Sequence, residues 1–184
     1  RAYKNRFGTT SEIGIFEMKG DGLAEVLNPS LIFIGERSNN VAGNIVTACV
    51  EGTRPLLLEI QALVSRTNFG LPRRMVSGYD LNRVIIIIAV LEKRIGLPLE
   101  NQDVFINIAG GIKVKETASD LAIACAIASA NANFICPPKT IVFGEVGLAG
   151  EVRAVSQIRE RLQEAEKLGF QKAIIPKSNL KSLE

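Results

Sequence analysis

VAGNIVTACVEGTRPLLLEIQALVS, residues 41–65, is the stretch on which the fold turns. Val41 to Val50 is rich in β-branched residues and reads as a strand. Glu51-Gly52-Thr53 breaks it, and Arg54 to Ser65 reads as a second strand. Two apolar runs on either side of a Gly-containing turn form an antiparallel pair. The next segment, Arg66 to Ser77, holds Gly70, Pro72 and two adjacent arginines and reads as a loop. Asp80 to Arg94 then reads as a helix, with Ser77 and Asp80 both candidate caps. Its centre, VIIIIAVL, is apolar around the whole circumference, which predicts deep burial. A buried strand is the rival reading of so short an apolar run. Asn82, Arg83, Glu92, Lys93 and Arg94 at helical spacing favour the helix, and Gly96-Leu97-Pro98 ends it.

Working outward from this centre, Asp103 to Ala109 is a strand, stopped by Gly110-Gly111. Ser119 to Ala132 is an Ala-rich helix with Thr117 or Ser119 as its cap. Thr140 to Phe143 is a strand, Glu145 to Arg153 a tight hairpin, and Ala173 to Ile175 a last strand before Pro176. Between them Ser156 to Leu168 is an amphipathic helix with Ile158, Leu162, Ala165 and Leu168 on one face. Toward the N-terminus, Glu12 to Lys19 alternates as a strand and Gly20-Asp21-Gly22 turns. Leu23 to Leu27 is a short segment, Asn28-Pro29-Ser30 opens a turn or helix, and residues 34–40 are loop. Residues 1–11 are polar and basic and read as an arm, leaving residues 12–184 as one domain. The order of elements gives an α/β class, or α+β in two layers, with a mixed sheet.

Composition narrows the function. Of 184 residues, 47% are hydrophobic and 22% charged, a globular balance with an aliphatic core, since Trp is absent. No histidine is present, which removes His-based triads and His metal sites. Cys49, Cys125 and Cys136 have no zinc-ligand spacing and suit a reducing, cytoplasmic compartment. The longest apolar run, Val84 to Leu91, is too short to span a bilayer, and RAYKNRFG is no signal peptide, so no membrane partner is expected. With no initiator Met, the sequence reads as a piece of a longer chain. No phosphate-binding glycine motif occurs, so no cofactor is expected in these residues. The net charge is only +3, but the cations cluster: Arg1, Lys4 and Arg6; Arg66, Arg73 and Arg74; Lys172, Lys177 and Lys181. Arginine forks suit phosphate oxygens, so Arg66, Arg73 and Arg74 are candidate DNA contacts, with a merely solvated loop as the alternative.

One constellation bears on catalysis. KVKETASD, residues 113–120, precedes one helix, and SQIRER, residues 156–161, begins another. A serine at a helix start beside a lysine whose pKa is lowered by burial would be a nucleophile and its base. On sequence alone the simpler reading of Ser119 is a helix cap.

On these motifs residues 12–184 resemble the proteolytic domain of Lon proteases, and more closely the C-terminal domain of the bacterial RadA/Sms family of DNA repair ATPases. The resemblance implies a Lon-like fold of the ribosomal protein S5 domain 2-like type. Ser119 falls on the serine of the Lon P-K-D-G-P-S-A-G segment, and Arg159 on the lysine of G-G-[IL]-K-E-K. Arginine keeps its charge and supplies no free base, so the resemblance implies a broken dyad and no peptidase activity. An arginine there would still anchor Ser119 or Glu116. Lys4-Asn5-Arg6-Phe7-Gly8 matches the K-N-R-F-G motif that joins the family's ATPase core to this domain, and Asn28-Pro29-Ser30 matches a recurrent element. By that resemblance Lys4 and Arg6 couple nucleotide state to DNA movement. Full-length members resemble hexameric ring motors, DNA-dependent ATPases and helicases, with a zinc finger and a RecA-like core. They use ATP, Mg2+ and Zn2+ and act on recombination intermediates by branch migration. The partners implied are DNA, further copies of the chain and a RecA-type recombinase. The rival readings are a degenerate Lon-type serine peptidase and a purely structural ring scaffold.

Overall fold

A computed structural model describes residues 16–20, 22–26, 29–35, 41–52, 54–68 and 70–183. The stretch that opened the reading forms the middle of its main sheet. β3 (Asn44–Glu51) and β4 (Arg54–Arg66) pair antiparallel with Asn44 opposite Gln61 and Glu51 opposite Arg54. Earlier in the chain lie a hairpin of β1 (Phe16–Lys19) and β2 (Gly22–Glu25) and a short helix α1 (Pro29–Gly35). After β4 come β5 (Arg74–Ser77), α2 (Leu81–Val90), β6 (Gln102–Ile108) and α3 (Asp120–Ala132). The C-terminal part adds β7 (Thr140–Val142), a small hairpin of β8 (Glu145–Val146) and β9 (Val152–Arg153), α4 (Ile158–Lys167) and β10 (Lys172–Ile174).

Six strands form one mixed sheet in the order β10-β7-β3-β4-β6-β5. β4 pairs antiparallel with both neighbours, while β5 runs parallel to β6 and β10 parallel to β7. Burial along β4 divides the sheet in two. It is continuous from Leu56 to Ile60 and alternates from Gln61 onward, the signature of a strand covered first on both faces and then on one. On one face Ile45, Leu58, Ile60 and Ile106 pack against Val84 and Ile87 of α2 and Ile123 and Ile127 of α3. Each such side chain, once buried, contributes roughly 1.5–3 kcal/mol. On the other face Val46, Leu57, Ile141 and Phe143 pack against Ile158 and Ala165 of α4. The architecture is therefore a mixed α/β sheet flanked by helices. It has two layers over β4, β6 and β5, and α4 adds a third over the other half.

Three local expectations change. Residues 66–77 are not all loop: Arg74 to Ser77 form β5, whose four residues are too few to announce themselves without the pairing to β6. The VIIIIAVL helix is not buried all round. Val84, Ile87, Ile88 and Val90 face the core, but Ile85 is 45% exposed, because α2 lies on a sheet that covers one side only. A π-type turn at Leu91–Ile95 then unwinds it to Gly96, which takes the left-handed conformation. Among the caps, Asp80 is the one used, its carboxylate accepting from the backbone of Arg83 at 2.8 Å. Gly43 sits at φ +90°, where a Cβ would lie 2.2 Å from the Ala62 carbonyl oxygen. That closeness lets Gly43 bond both Ala62 of β4 and the Ser129 hydroxyl of α3.

Candidate functional site

The segment 112–119 carries the serine read as a nucleophile or cap. It crosses beside the end of β5, pinned where the Val114 N–H donates to the Gly78 carbonyl at 2.8 Å. Gly78 is at φ +84° with no room for a side chain, since a Cβ would fall 2.7 Å from the Ile112 carbonyl oxygen. Ser119 follows in a tight turn and is fully buried, and its hydroxyl has no hydrogen-bond partner. It caps nothing, and neither does Thr117, whose hydroxyl donates instead to Glu145 at 2.7 Å. Arg159 does not meet it. That side chain is exposed on α4 and donates Nε to the Ser182 carbonyl at 3.0 Å.

The arginine that turns inward is two residues further on. Arg161 is fully buried beneath the sheet. Its guanidinium grips Glu116 with both ends, at 2.8 and 2.6 Å, and donates to the carbonyls of Ala48 at 2.5 Å and Ser156 at 2.9 Å. It also lies 5.9 Å from the Phe143 ring centroid. Glu116 accepts a further bond from the Val50 N–H at 2.7 Å. A carboxylate expected to be anchored from Arg159 is thus anchored from Arg161. Burial, reinforced by the nearby Glu116, pushes the Cys49 thiol up to about 12.

A second buried cluster went unread in the sequence. Asp120, in the first turn of α3, is fully buried and accepts from Tyr79 Oη at 2.8 Å, the Val146 N–H at 3.1 Å and the Arg83 guanidinium. Arg83 also donates to the Val146 carbonyl at 2.7 Å. Burial, then the charge of Asp120, raises the Tyr79 phenol well above its ordinary value and keeps it a donor. The cluster ties α2, α3 and the β8–β9 hairpin together. Above it opens a cleft of about 690 Å³ lined by Ser77, Gly78, Asp80, Arg83, Lys113 and Lys115. Lys113 and Lys115 are exposed there.

The loop arginines divide. Arg66 ends β4 and is exposed. Arg73 donates Nε and Nη2 to Asp103 at 3.0 and 2.7 Å, and its own N–H to the same carboxylate at 2.8 Å. Those bonds, the backbone one first, hold the Asp103 carboxyl below the usual carboxylate range. Arg74 donates to the carbonyls of Leu99 at 3.0 Å and Gln102. Both guanidiniums thus fasten β5 to β6, while the Arg73 side chain remains half exposed. Lys4, Asn5, Arg6, Phe7 and Gly8 lie outside the described residues. Among the described residues no group of three or more His, Cys, Asp or Glu side chains is placed to hold a metal ion. No helix among them is long and apolar enough to cross a membrane.

A family model described as "Subunit ChlI of Mg-chelatase" matches residues 61–179, which carry the β5 edge, the cleft, Ser119 and both helices α3 and α4. Similarity to curated proteins covers nearly the whole chain. It is 57% identical to the DNA repair protein RadA of Halalkalibacterium halodurans over 98% of its length, and 58% to that of Bacillus subtilis over 98%. The RadA of Synechocystis is 52% identical over 96%. The chain belongs to the RadA family, in its ChlI-type domain. It spans about two-fifths of the length of these RadA relatives, 39% of the first two and 35% of the third. The expected kinship thus holds, and the mixed sheet flanked by helices is compatible with a Lon-like or ChlI-type domain. Sequence reasoning placed Ser119 correctly at the start of α3 but missed Arg161, the Asp120 cluster and the cleft lysines. The signal for Arg161 was present: it lies three residues after Ile158 and four before Ala165, on the same helical stripe.

Proposed function

We propose that this domain is the DNA-contacting and ring-forming part of an ATP-dependent DNA repair motor, and that it carries no peptidase activity. The observation that carries the DNA reading is the cleft at the end of β5, where Lys113 and Lys115 stand exposed and form no ion pair among the described residues. Arg66 lies toward the opposite end of β5, beside Gln102. Four strand residues rise about 13 Å, so cations flank an edge long enough to follow successive phosphates. Tyr79, the aromatic in the cleft lining, is fastened through its hydroxyl to Asp120 and the Glu116 carbonyl, which favours phosphate contact by the lysines over base stacking on a mobile ring. Arg73 and Arg74 contribute less directly, by holding the strand that carries the edge.

The peptidase reading lacks a base. Arg159 keeps its proton and bonds Ser182, and the Ser119 hydroxyl is buried away from it. Membership of the RadA family supports the rest of the proposal. The motor works in the cytoplasm and moves recombination intermediates by branch migration beside a RecA-type recombinase. It assembles as a ring, most simply a hexamer, since soluble homo-oligomers close on themselves. ATP, Mg2+ and Zn2+ are bound by parts of the parent protein other than these residues, and Lys4-Asn5-Arg6-Phe7-Gly8 couples the motor to this domain.

The test is a salt titration of duplex binding by the full-length protein. Lys113→Ala with Lys115→Ala weakens binding to unrelated sequences alike and lowers the slope of log affinity against log salt by about 0.9 per lost contact. Arg73→Ala with Arg74→Ala changes the slope less. An unchanged slope for the lysine pair, with the loss confined to the arginine pair, returns the DNA path to the arginines. No change in either moves it off this edge.

A further inference from the structure

Residues 112–117 alternate. Ile112, Val114 and Glu116 turn toward the body of the domain, while Lys113, Lys115 and Thr117 are exposed. A period of two is the pattern of extended chain. Both Ile112, at φ −76° and ψ 142°, and Glu116, at φ −86° and ψ 145°, have extended dihedrals. The inward residues fasten the segment. Val114 belongs to the core, and its N–H is bonded to Gly78. Glu116 is held three ways: its carboxylate by the Arg161 guanidinium and the Val50 N–H, its carbonyl by the Tyr79 hydroxyl at 3.1 Å. These tethers lead to β3, to α4 and to the β5–α2 connection.

The alternation also sets a spacing. Two residues of extended chain advance about 6.5–7 Å. Lys113 and Lys115 therefore leave one side of the segment that far apart. Neighbouring phosphates of one DNA strand are about 3.4 Å apart along the axis, and roughly twice that along the backbone because the strand also winds. The two spacings are of one scale.

We propose that Glu116 is a positioning residue for DNA binding: by fastening residues 113–117 to Arg161 and Val50, it presets Lys113 and Lys115 to meet two successive phosphates of one strand. This rests on the DNA reading given above and adds an acidic residue on which that binding depends. Charge alone argues the reverse, since a carboxylate beside two lysines repels phosphate. At this position the charge is offset by Arg161, and what the carboxylate contributes is geometry. Lysines on a fastened chain lose only side-chain freedom on binding. On a freed chain backbone freedom is lost as well, and reordering one residue corresponds to roughly a five- to thirty-fold loss of affinity.

The experiment measures duplex affinity and its salt slope for full-length variants, with folding checked by far-ultraviolet circular dichroism. Glu116→Gln and Glu116→Ala remove the same charge, but the amide still accepts from Val50 and the methyl holds nothing. The expected order of affinity is the unchanged chain, then Glu116→Gln, then Glu116→Ala, the last down roughly five- to thirty-fold. The slope is kept, because the lysines still reach their phosphates. Glu116→Ala with Arg161→Met leaves the net charge as it was and removes the buried pair together, so it serves where an unpaired Arg161 unfolds the domain. Its affinity is expected to fall likewise. In a Lys113→Ala, Lys115→Ala background, adding Glu116→Ala should have no further effect. Unchanged or tighter binding by the Glu116 variants overturns the proposal while leaving the DNA reading intact, provided the lysine pair still lowers the slope. An equal loss with and without the lysines also overturns it, since Glu116 then acts on the fold at large. A lysine pair that changes neither affinity nor slope sinks the DNA reading itself, and the proposal with it.

Discussion

Replacing Arg161 by alanine removes a guanidinium that is fully buried and makes four hydrogen bonds, to Glu116 twice and to the carbonyls of Ala48 and Ser156. Removing one partner of a buried ion pair destabilises by about 3–5 kcal/mol. Two considerations set the expectation near the lower end. The Glu116 side chain is one-quarter exposed and can rehydrate, and it keeps the Val50 N–H. The Ala48 carbonyl, in contrast, is left buried without its side-chain donor. A domain is stable by about 5–15 kcal/mol, so the loss is a large share of the total. Urea unfolding followed by far-ultraviolet circular dichroism measures it, as a lower midpoint with an unchanged slope. Arg159→Ala is the internal control. Its side chain is exposed and makes one bond to a carbonyl, so its effect stays within about 0.5 kcal/mol. Adding Glu116→Gln to Arg161→Ala should recover part of the loss, because the unpaired carboxylate is then gone. Equal midpoints for Arg161→Ala and Arg159→Ala would refute the claim that the inward arginine organises this site.

Three further outcomes follow from the same geometry. Asp103 is held below the usual carboxylate range by Arg73, so the stability it adds is present above its unfolded pKa of about 3.9 and is lost as pH falls through the lower folded value. Acid unfolding of Asp103→Asn should therefore be less steep at its low end than that of the unchanged chain. The Cys49 thiol, raised to about 12 by burial, should resist alkylation at pH 8 in the folded protein and react once urea unfolds it. Ser119→Ala should leave casein digestion at the blank level of the unchanged protein, and cleavage lost on that substitution would restore the peptidase reading.

Much of the sheet was legible because its strands announce themselves locally. β3 and β4 are long, β-branched and separated by a glycine turn, and their pairing follows from that alone. β5 was not legible, because four residues with burial on alternate positions say nothing until β6 lies beside them. The same limit hid the exposure of Ile85. A run of four isoleucines predicts burial in every direction, but the sheet that receives α2 has only one side to offer. The Asp120 cluster assembles residues 83, 120 and 146 from three separate elements and Tyr79 from the β5–α2 connection, and no spacing rule joins them.

The candidate dyad is where two kinds of sequence evidence disagreed. Motif matching places the arginine of interest at position 159, since S-Q-I-R-E-R aligns its first arginine with the Lon lysine. Helical periodicity places it elsewhere. With about 100° of rotation per residue, Arg161 falls between Ile158 and Ala165 on the buried stripe of α4, while Arg159 falls on the far side. The structure follows periodicity: Arg161 is inside and Arg159 is at the surface. Burial is decided by the apolar face that the helix must cover, and a two-residue step along a helix exchanges inside for outside. A charge moved inward in this way must find a partner, and Glu116, three residues before Ser119, is the carboxylate that meets it. The segment that would carry a nucleophile is thereby fastened by an ion pair that no deprotonation at neutral pH releases, because arginine holds its proton. What a lysine would do by shedding charge, this site does by keeping it. The consequence is a rigid anchor for residues 113–119, and so a fixed position for the two lysines that face the cleft.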